Sequence, residues 1–392
     1  MIPRQLFAAA DAQLQKYPMI AVTGPRQSGK TTFCRQLRPG YQYVNLELPE
    51  NREFARRDPH HFLETHQNGV ILDEVQQVPE LFSYLQFYTD ERNRPGEYIL
   101  SGSQNFLLLE KITQSLAGRV ALFHLLPFSL GELETGNWLP ENWERPLLQG
   151  AYPRTYDREI PPAGFFPDYI QTYCERDVRQ VLNVANLSLF QQFMRLCAGR
   201  TGQLVNLNQL GAEVGIDQRT VRSWLSILEA SFIIHLLPPF HRNFEKRVVK
   251  SPKLYFYDTG LAAWLLGLRS ETDLVSHFAR GALFENFIIN ELIKIRWNNG
   301  LKPGFFFWQD NNANEIDLLI ENGLRLDAVE IKSGKTIQPD FFKNLTRFNK
   351  FSDGAATPWL VYGGSESQTR ETGRALNWQD LGQIPMDDLR LG

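Results

Sequence analysis

Alternation of strand-type and helix-type segments over the first part of the chain predicts an α/β fold, a parallel sheet covered by helices. Three stretches carry that prediction. The apolar run Met19–Thr23 reads as a buried strand, and Gly24-Pro25-Arg26-Gln27-Ser28-Gly29-Lys30-Thr31 follows it with the spacing GxxxxGK[ST], opening into a helix at Thr32-Phe33-Cys34. Residues 69–72 form a second apolar strand that ends on two acids, Asp73 and Glu74. A third, residues 98–100, runs into the small polar residues Ser101-Gly102-Ser103-Gln104-Asn105.

Each stretch has a chemistry. A glycine-containing turn between a strand and a helix offers backbone N–H groups and the positive helix end to a phosphate chain. Lys30 is placed to neutralise β- and γ-phosphates, and the Thr31 hydroxyl to hold Mg²⁺. The spacing fixes few residue types, so its weight comes from the strand before and the helix after. Asp73 at its strand end suits Mg²⁺, direct or through water, and Glu74 suits polarising the attacking water. Ser103 or Gln104 is placed to sense the γ-phosphate, although an ordinary polar turn also fits. No Asn-Lys-x-Asp element for reading guanine follows Asp73-Glu74, which favours ATP. The cofactors expected are ATP and Mg²⁺.

The remaining elements follow in order. Further strands of the first domain are expected near residues 41–46 and 120–126. Residues 131–167, rich in Gly, Pro, Trp and Glu, read as an irregular connection, and 169–200 as a small helical lid. Residues 207–214 suit a helix, Gly215-Ile216 a turn, Asp217 an N-cap, and 218–229 a helix with Val221, Trp224, Leu225 and Leu228 on one face. Strands at 232–237 and 253–257 then complete a winged-helix pattern. Arg219 and Arg222 fall on the open side of its second helix, where a DNA reader puts them, and Arg242, Lys246, Arg247 and Lys250 add positive charge. Use as an interdomain scaffold fits the same pattern.

In the last segment Glu285 falls on a helix over 279–295, and residues 315–320 and 327–332 read as strands around the turn Glu321-Asn322-Gly323. Period-two alternation puts Glu315 and Asp317 on one face, and Glu330 and Lys332 on one face. Such charges are costly on apolar strands unless exposed or functional. Carboxylates from two strands and a helix can hold Mg²⁺, with a lysine orienting or deprotonating water for phosphodiester cleavage. A solvated sheet edge is the competing account.

Length and composition limit the rest. At 392 residues two or three domains are expected. The net charge of −3, spread along the chain, gives no global basic footprint for nucleic acid. Cys34, Cys174 and Cys197 are too far apart for a zinc pattern or disulfide framework, which suits a reducing compartment. No run approaches the roughly twenty apolar residues of a membrane span. Met1-Ile2-Pro3-Arg4 lacks a signal peptide's apolar stretch. A cytoplasmic protein without membrane partners is expected.

The ordered motifs also resemble a family. Gly24 to Thr31, Asp73-Glu74, Ser101-Gly102-Ser103, Ser115-Leu116-Ala117-Gly118-Arg119 and Leu126-Pro127-Phe128-Ser129 come first. Ala151-Tyr152-Pro153-Arg154, Tyr173-Cys174-Glu175-Arg176-Asp177-Val178 and Lys253-Leu254-Tyr255-Phe256-Tyr257-Asp258-Thr259-Gly260 follow. Together they resemble a widespread group of prokaryotic AAA+-like P-loop ATPases whose C-terminal portion is a domain of unknown function. Ala151 stands where that family usually has glycine. The resemblance implies an AAA+-like ATPase domain over 1–150, a helical lid over 151–200 and a winged helix over 201–258. It further implies a restriction-endonuclease-like α/β domain of PD-(D/E)xK type over 259–392. Glu285, Asp317, Glu330 and Lys332 match the nuclease pattern, the three acids as metal ligands. DNA as partner, a homo-oligomer such as a ring, and an arginine finger acting in trans are implied too. Arg119 is the first candidate for the finger and Arg154 and Arg176 compete with it; a structural ion pair is the alternative for each.

Overall fold

The computed structural model describes residues 2–103, 116–178, 187–240, 250–310, 312–323, 325–352 and 354–386, with the backbone alone at 176 and 177. Gln104, Ser115, Arg242, Lys246, Arg247 and the side chain of Arg176 therefore lie outside the described residues. The chain divides into two compact units. The first comprises Met1–Gly136 with the short segments Ala230–Phe232 and Trp297–Leu301; the second holds the remainder.

The first unit is built on five parallel strands: β1 (Met19–Thr23), β2 (Gln42–Asn45), β3 (Val70–Asp73), β4 (Tyr98–Gly102) and β5 (Val120–His124). Their order across the sheet is β2-β3-β4-β1-β5. β1, β3 and β4 are buried along their whole length, as their unbroken apolar runs require of strands covered on both faces. Alternation divides their side chains between two cores. Met19, Ala21, Val70 and Leu72 join one; Ile20, Val22 and Ile71 join the other, with Phe33 and Cys34 of the helix Lys30–Leu37. Because the chain leaves β1 for β2 at one edge and reaches β5 on β1's other side, the carboxyl end of β1 borders a crevice where α/β sheets bind ligands.

In the second unit the expected irregular connection is largely helical. Helices span Glu144–Gln149, Pro153–Asp157 and Pro162–Tyr173, and Leu130–Thr135 precedes them in the first unit. Pro153 and Pro162 occupy first-turn positions, where a missing N–H breaks no helical bond, so these prolines start helices rather than end them. A π-turn Cys174–Val178 and a helix Leu187–Ala198 follow. Helices Leu207–Val214 and Gln218–Ala230 come next, the second entered by Asp217 accepting from Thr220 N at 2.9 Å. Val221, Trp224, Leu225 and Leu228 are buried, and Arg219 and Arg222 are exposed. β6 (Ile234–Leu237) and β7 (Lys253–Phe256) then pair antiparallel.

The second unit ends in a mixed sheet. Its strands β8 (Phe305–Gln309), β9 (Glu315–Asn322), β10 (Arg325–Lys332), β11 (Ala356–Tyr362), β12 (Gln368–Arg370) and β13 (Gly373–Asn377) take the order β12-β13-β11-β10-β9-β8. β8, β9 and β10 run antiparallel, and β10, β11 and β13 parallel. A long helix, Arg280–Asn298, precedes this sheet and carries Glu285. Among the described residues no helix is long and apolar enough to cross a membrane.

Candidate nucleotide site and a second carboxylate cluster

The loop between β1 and the helix Lys30–Leu37 adopts a conformation that its sequence demands. Gly24 has φ +151°, and a Cβ on it would lie 2.2 Å from the Leu125 carbonyl oxygen, so no other residue fits. Gln27 and Gly29 also take positive φ, 62° and 92°, which curls the backbone around the loop's centre. Lys30 is buried, and its ammonium donates to the carbonyls of Gly24 at 2.9 Å and Pro25 at 2.8 Å. Burial lowers its pKa, against the pull of Glu74 and Asp73. Ser28 is buried and Arg26 half-buried, while Thr32 is exposed.

Asp73 ends β3 inside a set of hydroxyls. The Thr31 hydroxyl donates to its Oδ2 at 2.8 Å, Tyr43 OH to the same oxygen at 2.6 Å, and Ser101 Oγ to Oδ1 at 2.5 Å. The order β2-β3-β4 explains this, since Tyr43 and Ser101 come from the two neighbours of β3. The Arg35 guanidinium lies 3.8 Å from the centre of the Tyr43 ring. Glu74 has left the strand with φ 54°, a left-handed conformation uncommon for a glutamate. Its Oε2 accepts from the side-chain amide of Gln76, from Ser103 N at 3.4 Å and from Ser103 Oγ at 3.3 Å. Ser103 thus touches Glu74.

These residues suit ATP with Mg²⁺. Ser28 Oγ and Gln27 Oε1 are buried in the loop without a hydrogen-bond partner, free to meet a phosphate chain. Thr31 and Asp73 supply hard oxygen donors of the kind Mg²⁺ takes. Arg119 lies elsewhere. It precedes β5 at the amino end of the sheet, about 16 Å along a strand of this length from the loop end. There it pairs with Asp90 through two bonds of 2.6 and 2.8 Å. It therefore does not reach the phosphate loop of its own chain. Arg154 is exposed.

A second cluster stands in the C-terminal unit. Asp317 Oδ2 accepts from Ile331 N at 2.7 Å and lies 3.3 Å from the Lys332 ammonium, which also lies 2.7 Å from Glu330 Oε1. Asn344 donates to Glu330 Oε1 at 3.3 Å, and Glu330 Oε2 is buried with no partner. Glu285, Glu315 and Asp317 each offer a carboxylate oxygen, all within 4.8 Å of one another. Glu330 is not one of these three acids; it is bonded by Lys332 and Asn344. Lys253 of β7 enters the same cluster: its buried ammonium bonds Glu315 Oε1 and lies 3.4 Å from Glu285 Oε1. Tyr255 OH donates to Glu285 Oε1 as well.

Burial and crowding disturb these groups. Burial, opposed by Lys253 and reinforced by Asp317, pushes Glu285 up to about 7. Burial and the Asp317 charge push Glu330 up to about 8. Burial works against the charge on Lys332, yet Asp317 and Glu330 hold its pKa above the usual lysine value. Lys332 thus stands as an ammonium between Asp317 and Glu330, placed to orient a group. Sequence reasoning missed Tyr43, Gln76 and Lys253 and left Glu315 outside the site. A lysine and a tyrosine two apart on one face of an otherwise apolar strand were the available signal for Lys253 and Tyr255.

A curled glycine loop ahead of a helix, a threonine on the aspartate of a second strand, and a glutamate just beyond make a P-loop, nucleotide-binding ATPase site. Residues 16–134 match the family described as AAA domain, 140–272 a domain of unknown function (DUF8612), and 280–381 another (DUF4143). Uncharacterized proteins of Mycobacterium bovis and Mycobacterium tuberculosis are each 29% identical over 327 residues, covering 82% of this chain and 72% of theirs. Among solved structures, a Walker-type ATPase of Pyrococcus abyssi is similar at a TM-score of 0.46 and 16% identity, over 67% of this chain and 94% of that one. AMPPCP-bound DnaA from Aquifex aeolicus is similar at 0.28 and 15%, over 57% and 85%.

Proposed function

We propose that this chain binds and hydrolyses ATP in its N-terminal domain and uses that cycle to act on DNA through its C-terminal unit. Bound Mg²⁺ would neutralise the phosphate oxygens of ATP, whose γ-phosphoryl group is the one transferred. The chain's own residues do the rest. Backbone N–H groups of residues 24–31 hold the phosphates, and Lys30 exchanges the Gly24 and Pro25 carbonyls for phosphate oxygens. Thr31 Oγ1 and Asp73 hold the metal, with Tyr43 and Ser101 fixing the carboxylate. Glu74 takes the proton of the attacking water, and Ser103, bonded to Glu74, links that carboxylate to the phosphate end. Arg119 of a neighbouring copy is the finger we assign in trans, in a homo-oligomer such as a ring.

For DNA, we assign residues 201–258 as a winged helix with Arg219 and Arg222 outward, and 259–392 as a nuclease-like domain. The observation that carries this reading is the meeting of Asp317, Glu330 and Lys332 in one partly buried cluster with Glu285 and Glu315. Oxygen donors in that number suit Mg²⁺, and Lys332 would orient the scissile phosphate. The contact of Lys253 with Glu285 and Glu315 favours a second reading, in which the C-terminal unit binds a partner without cutting and the ATPase is a switch. ATP hydrolysis with Mg²⁺, measured with single-stranded, duplex and branched DNA and followed on the same gel, tests both. Stimulation by one DNA form, with cleavage that Asp317→Ala and Glu330→Ala abolish, is expected. Turnover unmoved by any DNA, with every substrate intact, would leave only the switch.

A further inference from the structure

Behind the phosphate loop lies a contact that the nucleotide chemistry does not use. Arg4 is 8% exposed, and all three guanidinium nitrogens are engaged. Nη1 donates to the Ser28 carbonyl at 2.8 Å, Nη2 to the Leu126 carbonyl at 2.5 Å, and Nε to Glu132 Oε1 at 3.0 Å. The guanidinium also stands 5.1 Å from the centre of the Phe128 ring. Glu132, fully buried, accepts from Gln5 N at 2.8 Å and Ser129 N at 3.0 Å, and Ser129 closes a capping box on it. The stretch Leu126-Pro127-Phe128-Ser129, which ATP hydrolysis leaves without a role, is thereby the seat of Arg4.

Burying a guanidinium is costly unless its charge and donors are matched, and here a carboxylate and two carbonyls match it. One of those carbonyls belongs to the phosphate loop. A trans peptide is planar with its C=O and N–H on opposite edges. Holding the Ser28 carbonyl toward Arg4 therefore turns the Gly29 N–H to the other side of the peptide. The start of the loop is fixed to the same neighbour, since Gly24 packs on the Leu125 carbonyl. Lys30 also ties the loop, but its ammonium must leave the Gly24 and Pro25 carbonyls to reach a phosphate. The bonds of Arg4 need not break when nucleotide binds.

We infer that Arg4, held by Glu132, is a positioning residue for the phosphate loop, keeping the Ser28–Gly29 peptide in its nucleotide-binding orientation. The inference rests on the loop being an ATP site. The test titrates the full chain with a fluorescent ATP analogue and Mg²⁺, well below every variant's melting temperature. Arg4→Met is expected to weaken binding at least about tenfold. Glu132→Gln should weaken it a few-fold, and Arg4→Lys, which keeps the charge, should fall between wild type and Arg4→Met. Leu14→Ala, a buried change in the same unit, should lower the melting temperature and leave affinity alone. Arg4 and Glu132 variants that bind as wild type does would overturn the inference and reduce the contact to packing. If Arg4→Met fails to fold, Arg4→Lys and Glu132→Gln decide on the same criterion. Wild type that binds no nucleotide, or Lys30→Ala that binds normally, would instead refute the ATP site and this inference with it.

Discussion

Replacing Lys253 with methionine keeps the length and apolar stem of the side chain and deletes its charge. In the native chain the ammonium is buried between Glu285 and Glu315. Removing one partner of a buried ion pair costs about 3–5 kcal/mol, because the carboxylates left behind lose their ammonium and have only partial contact with water in its place. For a folded unit of roughly 150–250 residues each kcal/mol is about 2–4 °C, so melting of the C-terminal unit should fall by roughly 6–20 °C. The loss must also depend on pH. Glu285 sits at about 7 against an ordinary 4.5, so its linked stability is full below about 4.5 and is lost as the pH rises to 7. Lys253 opposes that rise, and its removal moves the folded value higher still. The deficit of Lys253→Met should therefore be larger near pH 8 than near pH 5. Mn²⁺ added without nucleotide should restore part of it, since the oxygens of Glu285, Glu315 and Asp317 lie within 4.8 Å of one another. Scanning calorimetry of both proteins across that range is the assay. A deficit under about 2 °C near pH 8, or an equal one at both ends, would refute the role given to Lys253.

Two further outcomes follow from the N-terminal domain. Glu74→Gln should bind ATP as tightly as wild type while hydrolysis falls by about 10²–10⁴-fold, since the amide cannot take the water's proton; equal turnover would remove Glu74 from the reaction. His124, whose ring nitrogen meets the Thr23 hydroxyl at 2.6 Å, is lowered by burial from 6.5 to about 4. That depressed value means stability is present above pH 6.5 and lost as the pH falls toward 4, so His124→Gln should lose less between about pH 7 and 5. Urea unfolding at those two conditions checks it, and equal acid losses in both proteins would refute it.

What was legible in the sequence is what consecutive residues decide. Eight neighbours make the phosphate loop, apolar runs make β1, β3 and β4, and Asp217 caps the helix that follows it. The partners of Asp73 were not legible, because Thr31, Tyr43 and Ser101 meet there only once β2 and β4 flank β3. Pro153 and Pro162 were misjudged, since a proline in a helix's first turn starts the helix rather than ending it, and Pro167 lies inside a helix that continues past it.

The C-terminal cluster shows where more could have been extracted. Alternation placed Glu315 beside Asp317, and both lie on a strand whose apolar residues are buried. A carboxylate in such a place must find a cation, a metal or a proton. Searching for acids alone leads to a metal; searching for the opposite charge on another apolar strand leads to Lys253, whose neighbours Leu254 and Phe256 are buried. Four carboxylates, Glu285, Glu315, Asp317 and Glu330, face two ammoniums, Lys253 and Lys332. Burial, reinforced by the Asp317 charge, is why Glu285 and Glu330 hold protons so readily, and the surplus of negative charge is why a divalent cation and Lys253 would contend for the same oxygens.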